Sequence, residues 1–291
     1  MAGLKSAFRA IASVFGLAAS LVGCSQLGLF DFVSPKDAGS RRIARDIAYG
    51  TDARQTLNIY GPDEGRVPAG VVVFTYGGSW SSGTKADYGF VGRAFASRGY
   101  LTFVFDYRLV PGVRYPAFVE DNAKAVAWVY RNARTYGGDP GRLFLLGHSA
   151  GAYNAMMTAV DPRFLAAEGL SPAILRGAAG LSGPYDFLPL DVMASQEAFA
   201  GVANLERTQP VNHVRRDAPL PPIFLATGDA DQTVRPRNTR ALAAELRNNG
   251  KSVQERYYKG VDHVGTLLAI SRPLRRKAPV LEDVAAFFAA Q

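Results

Sequence analysis

Cysteine and histidine are scarce in this 291-residue sequence, and their scarcity limits the chemistry available to it. There is one cysteine, Cys24, so no disulfide can form within the chain. With only three histidines besides, the sequence has no Cys/His cluster of the kind that holds zinc. We therefore predict neither a metal nor a cofactor.

Charge is also sparse, because charged residues make up 20% of the chain and hydrophobic residues 48%. This balance argues against disorder and fits one large α/β domain with a buried core better than two domains. The sequence has no Gly-x-Gly-x-x-Gly motif and no P-loop, so nucleotide binding is not predicted. The formal charge is +8, but no basic stripe is interleaved with aromatic residues, so we expect no nucleic-acid partner. The scattered basic residues indicate a solvated face with some attraction to anionic lipid headgroups.

The amino-terminal residues have the composition of a targeting segment. Lys5 and Arg9 form a basic start, and residues 10–23 are uncharged and mostly apolar. That run of about 14 residues is too short to span a bilayer as a helix but suits the apolar region of a signal peptide. It ends at Cys24 in the sequence Leu-Val-Gly-Cys, which resembles the lipobox of bacterial lipoproteins.

The lipobox resemblance implies a signal peptide at residues 1–23 and a lipidated Cys24, with the lipid anchoring the protein to a membrane. We then expect residues 24–40 to be a tether and residues 41–291 to be the catalytic domain. The expected location is the bacterial cell envelope. Ser25 favours the outer membrane or periplasmic side over the inner membrane. The alternative is an ordinary amino-terminal helix with a buried cysteine.

Strand-like runs alternate with helical patterns through the rest of the chain. Residues 71–76 form a continuous apolar run of strand length, as expected for a strand buried on both faces. Residues 119–130 place apolar side chains on one helical face. The alternation predicts an α/β fold with a mostly parallel central sheet and helices on both faces. Residues 188–218 lack a strong period, and we expect them to form a small cap segment.

Residues 147–151 read Gly-His-Ser-Ala-Gly and follow the strand-like run at 142–146. A helix-compatible segment comes next, and this is the context that a nucleophile elbow requires. The turn is sharp, so we expect Ser149 in strained backbone and glycines on either side, where a Cβ atom would collide with the strand or helix. Ala150 places its N–H at the helix start, where it can face a developing oxyanion.

A serine hydroxyl becomes a nucleophile when a base removes its proton and a third group orients that base. His148 lies in the sharp turn, which we expect to point its ring elsewhere, and His213 lies in the cap segment. His263 lies in a glycine-flanked loop after the last predicted strand and is the best candidate base. The candidate acids, which follow two late strands, are Asp186, Asp229 and Asp231.

A glycine-rich loop at residues 77–83 leaves the buried strand at 71–76. Glycine lets the backbone turn so that N–H groups point into a site, and many α/β hydrolases place an oxyanion donor here. The alternative is that Gly77 and Gly78 only form a turn.

From about residue 41 to its end, the sequence resembles the α/β-hydrolase esterases of the BD-FAE and hormone-sensitive-lipase-like groups. The matching motifs are Gly77-Gly78-Ser79-Trp80, Asp106-Tyr107-Arg108, Gly147-His148-Ser149-Ala150-Gly151, Gly228-x-x-Asp231-x-x-Val234 and His263. Tyr76 stands where the usual His-Gly-Gly-Gly loop of these esterases has its histidine.

The resemblance implies an α/β-hydrolase fold and hydrolysis of a small ester, with a short acyl chain, through an acyl-enzyme intermediate. The residues it implies are Ser149 as nucleophile, His263 as base, Asp231 as the acid behind it, and the amides of Gly78, Ser79 and Ala150 as the oxyanion hole. Trp80 and Tyr185 are predicted pocket walls, with core packing as the alternative. Other functions left open are an amidase, peptidase or kynurenine-formamidase-like hydrolase, and a non-catalytic envelope scaffold.

Overall fold

The computed structural model describes residues 23–291. The strands, in chain order, are β1 (Ser40–Ala48), β2 (Thr56–Pro62), β3 (Gly70–Thr75), β4 (Tyr100–Phe105), β5 (Leu143–His148), β6 (Leu175–Leu181), β7 (Ile223–Gly228) and β8 (Val253–Tyr258). The helices are α1 (Gly23–Val33), α2 (Gly89–Ser97), α3 (Ala117–Asn132), α4 (Ala150–Val160), α5 (Pro162–Ala167), α6 (Met193–Ala198), α7 (Arg237–Asn248), α8 (His263–Leu268) and α9 (Val280–Ala289).

These strands form one sheet in the order β1-β2-β4-β3-β5-β6-β7-β8. The β1–β2 and β2–β4 pairs are antiparallel, and every pair from β4 to β8 is parallel, so the predicted mostly parallel sheet is confirmed. Strand β5 lies between β3 and β6, and its carboxyl end therefore opens near the middle of the sheet edge. In open parallel sheets the loops beyond these carboxyl ends form the ligand crevice.

The central strands are predominantly apolar because both faces of the sheet are covered. Every residue of β3 and of β5 is buried. Helices α3, α4 and α5 pack against one another, while α2 packs against α9. The rings of Phe144 in β5 and Phe288 in α9 stack with centroids 4.5 Å apart. A strand buried in this way needs no polar alternation, which explains its continuous hydrophobic run.

Helix α4 follows the central strand and is the most enclosed helix beside the sheet. All eleven of its residues are buried. Its sequence is rich in alanine and glycine, and these small side chains let the helix approach the sheet closely. The position of the turn between β5 and α4 is therefore set by packing on both sides.

The segment between β6 and β7 contains little regular structure. Within residues 188–218 lie helix α6 and the 3₁₀ turns Leu205–Thr208 and Pro210–His213. Phe199 packs edge-to-face on Phe118 of α3, with ring centroids 5.8 Å apart, and this contact holds the segment against the domain. This segment matches the predicted cap.

The region predicted as a tether differs from expectation, because α1 occupies its first part. Phe30 packs edge-to-face on Phe90, with centroids 5.5 Å apart, and this contact holds the helix to the domain. The sequence of α1 has only a weak helical pattern of hydrophobicity, so tertiary contact rather than periodicity accounts for it. Apart from Gly23, the predicted signal peptide lies outside the described residues. Within residues 23–291 no helix is long and apolar enough to cross a membrane.

Candidate active site

Ser149 stands between the end of β5 and the start of α4, in the sharp turn that the sequence predicts. Its backbone has φ 55° and ψ −126°, a conformation that L-residues rarely adopt. A Cβ atom on Gly151 would lie 2.1 Å from the carbonyl oxygen of Thr75, and one on Gly147 would lie 2.3 Å from the oxygen of Gly151. Both flanking positions therefore exclude any larger residue.

Three side chains that are distant in sequence meet at this turn. The Oγ of Ser149 lies 2.8 Å from Nε2 of His263. The Nδ1 of the same imidazole lies 2.8 Å from Oδ2 of Asp231. His263 is the first residue of helix α8. Its side chain is only 11% exposed, so the imidazole lies between Ser149 and Asp231 with little contact with water.

Asp231 is fully buried behind the imidazole and fully hydrogen-bonded. Its Oδ1 accepts hydrogen bonds from the backbone N–H groups of Thr233, at 3.0 Å, and Val234, at 2.9 Å. Burial acts to raise the pKa of Asp231, but the hydrogen bond from His263, its charge and the backbone donors outweigh that effect. The pKa therefore lies below its ordinary value, and the carboxyl group is ionised at neutral pH.

The other two candidate acids make different contacts. The Oδ1 of Asp229 accepts a hydrogen bond from the backbone N–H of Gly260, at 2.6 Å. Asp186 is exposed, and its own backbone N–H donates to Oδ1 of Asn238. Of the three aspartates, the structure brings only Asp231 to the imidazole.

The loop after β3 passes directly beside the nucleophile. A Cβ atom on Gly77 would lie 2.7 Å from that of Ser149. Gly78 and Ser79 have φ of 117° and 54°, which turns their amides out of the usual strand direction. Among residues 23–291 no protein group accepts a hydrogen bond from the N–H of Gly78, Ser79 or Ala150. These three amides are available to an oxyanion, and their predicted role stays a prediction.

Tyr76 precedes this loop, and its side chain contacts Gly83 at the far end of the loop. Its hydroxyl lies 2.8 Å from Nη2 of Arg54, 2.8 Å from Oδ1 of Asp106 and 3.2 Å from the carbonyl oxygen of Gly83. Asp106 also pairs with Lys85, whose Nζ lies 3.1 Å from Oδ2. The tyrosine that replaces the usual histidine thus ties the loop to a buried ionic network. The Asp106-Tyr107-Arg108 motif supplies part of that network.

His148 is closer to the site than its place in the sharp turn suggested. Its Nε2 lies 3.0 Å from the carbonyl oxygen of His263, and the two rings are 5.0 Å apart. Burial, with added repulsion from the charge of His263, lowers the pKa of His148 to about 3. The ring is therefore neutral at physiological pH, and Nε2–H donates to that carbonyl. The sequence carried no signal for this contact, since the two residues lie far apart in the chain.

Trp80 and Tyr185, the predicted pocket walls, are both buried. Tyr185 is inaccessible to solvent, and a Cβ atom on Gly180 would lie 2.1 Å from its hydroxyl oxygen. Trp80 is 4% exposed and donates its indole N–H to Oδ1 of Asn154, at 3.0 Å. Its ring stacks on Phe118, with centroids 5.5 Å apart. Tyr185 is therefore a core residue, as the alternative prediction has it. The side chain of Trp80 points from the loop after β3 into a cluster of aromatic rings.

In the part of the chain that the structure describes, no group of three or more His, Cys, Asp or Glu side chains could hold a metal ion. Ser149 contacts His263, which in turn contacts Asp231. They form a hydrogen-bonded chain that can pass a proton from the hydroxyl to the imidazole.

The sheet order, the strand–elbow–helix turn and the Ser–His–Asp contacts define the class of α/β hydrolases. The chain belongs to the BD-FAE family, which matches residues 57–246. Solved structures share the fold. Esterase B from Lactobacillus rhamnosis superposes with a TM-score of 0.79 at 19% identity, over 99% of this chain and 96% of that one. Esterase 2 from Thermogutta terrifontis has a TM-score of 0.70 at 24% identity, over 88% of this chain and 96% of that one.

Curated relatives resemble the chain in sequence. A probable isoprenylcysteine alpha-carbonyl methylesterase, ICMEL1, from Oryza sativa subsp. japonica is 32% identical, over 84% of this chain and 62% of the relative. Esterase LipC from Mycobacterium tuberculosis is 29% identical, over 72% of this chain and 56% of the relative. The chain thus spans less than two thirds of the length of these relatives.

Proposed function

We propose that this chain is a serine carboxylic ester hydrolase. The observation that carries the proposal is the hydrogen-bonded chain from Ser149 through His263 to Asp231, with both contacts at 2.8 Å. Membership of the BD-FAE family and the esterase names of the relatives support it.

The proposed reaction proceeds through an acyl-enzyme intermediate. His263 accepts the proton of Ser149 as Oγ attacks the ester carbonyl, and the negative charge of Asp231 stabilises the imidazolium that results. The tetrahedral intermediate collapses, and the leaving alcohol takes the proton from His263. Water then attacks the acyl group as His263 takes one of its protons. The carboxylic acid leaves, and His263 returns the proton to Oγ of Ser149.

The backbone amides of Gly78, Ser79 and Ala150 are the proposed donors to the oxyanion. Each donor of this kind typically contributes about 3 kcal/mol of transition-state stabilisation. Ala150 is the first residue of an eleven-residue helix, so its amide also lies at the positive end of the helix dipole. The Tyr76 network holds the other two amides in place.

We propose that the substrate has a short acyl chain. Aromatic rings occupy the space next to the loop after β3, which leaves little room there for a long chain. Trp80 contacts Phe118, Tyr153, Phe187 and Phe199, with ring centroids between 5.1 and 6.4 Å apart. The name of the methylesterase relatives points to a small group on the alcohol side instead. Rates on p-nitrophenyl esters of increasing acyl length test for a short acyl chain. Rates on acetates of increasing alkyl length test for a small alcohol group.

The test of the reaction class is loss of the nucleophile. Ser149→Ala should abolish hydrolysis of p-nitrophenyl acetate and labelling by a fluorophosphonate probe. Ser171→Ala, which changes a serine at a 3₁₀ turn outside the site, is the matched control and should keep both. Labelling that survives in Ser149→Ala would remove Ser149 as the nucleophile. Absence of labelling in the unmodified chain would favour a non-catalytic scaffold.

We also propose lipidation at Cys24 and a location in the bacterial envelope. The support comes from the basic start, the apolar run and the Leu-Val-Gly-Cys sequence that precede the domain. Mass spectrometry of the amino-terminal peptide from a bacterial host should find an acylated cysteine. An unmodified peptide beginning before residue 24 would contradict it.

A further inference from the structure

The outer face of helix α1 exposes large apolar side chains to solvent. Leu29 is 63% exposed, Phe32 82% and Val33 66%. These residues are spaced three and four apart, so they lie on one face of the helix, while Phe30, beside that face, packs on Phe90 of the domain. We name this patch the α1 face. Contiguous exposed apolar residues on a folded domain mark an interaction surface.

Cationic side chains border the α1 face at its carboxyl-terminal end. Arg272 donates a hydrogen bond to the carbonyl oxygen of Lys36, at 3.0 Å, three residues after the helix ends. Arg275 pairs with Asp37, at 2.8 Å. These two contacts hold the turn that follows α8 against the segment that follows α1.

The cations of that turn are mostly uncompensated. Among residues 23–291, no carboxylate lies within ion-pair distance of Arg272, Arg276 or Lys277, and all three residues are exposed. Lys36 is offset by Asp31, with Nζ 3.5 Å from Oδ2. The surface beside the α1 face therefore carries a net positive charge.

We infer that the α1 face and its cationic border form a docking surface for an anionic phospholipid bilayer. Apolar side chains beside cations are the features of an interfacial helix, whose apolar face enters the headgroup region while the cations meet lipid phosphates. A bilayer matches both halves of this surface, because its phosphates can meet the three uncompensated cations while its acyl region takes up the apolar side chains. The inference rests on this surface and is independent of both the ester chemistry and the lipidation of Cys24.

The single cysteine of the chain makes a site-specific test possible. In the full chain carrying Cys24→Ser, Phe32→Cys is labelled with the environment-sensitive dye NBD. Val67→Cys, which lies at an 89% exposed position in the loop before β3, is the matched control. Both labelled proteins are mixed with phosphatidylcholine vesicles that contain or lack phosphatidylglycerol.

The dye at position 32 should shift to the blue and brighten with the anionic vesicles, and the dye at position 67 should not. Replacement of Arg272, Arg276 and Lys277 by glutamine should weaken the response roughly fivefold per charge, which corresponds to about 1 kcal/mol each. Added salt should weaken it as well.

Two outcomes would overturn the inference. The protein could cosediment with vesicles while the dye at position 32 still reports water, in which case another segment makes the contact. Alternatively, the dye could shift without vesicles as protein concentration rises, in which case a second copy of the chain covers the α1 face.

Discussion

The buried neutral imidazole of His148 predicts an acid-sensitive component of stability. Its pKa is about 3 in the folded protein, against about 6.5 in the unfolded chain. Between these values the unfolded chain binds one proton more than the native protein. Stability from this residue is therefore fully present above pH 6.5 and is lost as the pH falls toward 3, with a slope of about 1.4 kcal/mol per pH unit.

His148→Gln isolates this effect because it removes the titration and keeps the hydrogen bond. The glutamine amide can donate to the carbonyl oxygen of His263 but does not bind a proton near neutral pH. At pH 7 we expect the variant and the unmodified protein to have similar free energies of unfolding. At pH 5 the variant should be relatively more stable by about 2 kcal/mol, since 1.5 pH units of the slope are removed.

The free energy of unfolding of the variant must be compared with that of the unmodified protein at each pH, because Asp87 changes stability with pH in the opposite direction to His148. Burial raises the pKa of Asp87 from 3.8 to about 6, so the native protein holds a proton there that the unfolded chain releases. Its contribution to stability falls as pH rises through this window, which offsets the slope from His148. Asp87→Asn should therefore change the pH dependence with the opposite sign and serves as the control.

Urea unfolding at pH 7, 6 and 5 measures the effect. If the difference in unfolding free energy between His148→Gln and the unmodified protein stays constant over this range, the neutral buried state of His148 is wrong. His148→Phe, which deletes the donor, should cost about 1–3 kcal/mol at pH 7 because it leaves the carbonyl of His263 unpaired.

Three further predictions concern the elbow, the acid and the loop after β3. Asp231→Asn should lower kcat by a factor of about 10⁴, since it removes the charge that stabilises the imidazolium and holds its tautomer. Gly151→Ala should destabilise the fold by several kcal/mol, measured by thermal unfolding, because its Cβ would lie 2.1 Å from the oxygen of Thr75. Tyr76→Phe should lower kcat about tenfold with little change in KM, because loss of the bond to Gly83 loosens the oxyanion amides without removing them.

Each of these variants has a matched control or a distinguishing measurement. Asp229→Asn should keep most of the activity, because that carboxylate bonds to Gly260 and not to the imidazole. Gly112→Ala adds a Cβ 3.3 Å from its nearest neighbour, so its unfolding temperature should fall far less than that of Gly151→Ala. For Tyr76→Phe, a rise in KM at constant kcat would place the tyrosine in substrate binding and contradict its role in the loop.

The sequence could predict those features that depend on neighbouring residues. Sterics within five residues explain why Gly147 precedes a strained serine, because its Cβ would meet the oxygen of Gly151, whereas the clash that requires Gly151 comes from Thr75 in β3. Burial on both faces explains the apolar run of β3 and the mostly parallel sheet around it. Apart from the clash with Thr75, these are local constraints, so a pattern in the sequence is enough to recognise them.

Other features required the folded chain. Asp229 and Asp231 are two residues apart in the same loop, and only the path of the backbone after β7 turns one toward the imidazole and the other toward Gly260. Helix α1 has too weak a pattern to be predicted, because its contact with Phe90 comes from a distant segment. Trp80 and Tyr185 are aromatic residues at loop positions, and sequence alone left their burial open.

The sequence by itself determined where the elbow serine stands and which fold carries it, because those follow from the Gly-x-Ser-x-Gly pattern and hydrophobic periodicity. A family motif implied Asp231, but only the tertiary structure brought its carboxylate to His263, placed His148 against the backbone of His263, and turned an apolar face of α1 to solvent. Those contacts join residues far apart in the chain, so they exist only once the sheet has brought the loops together.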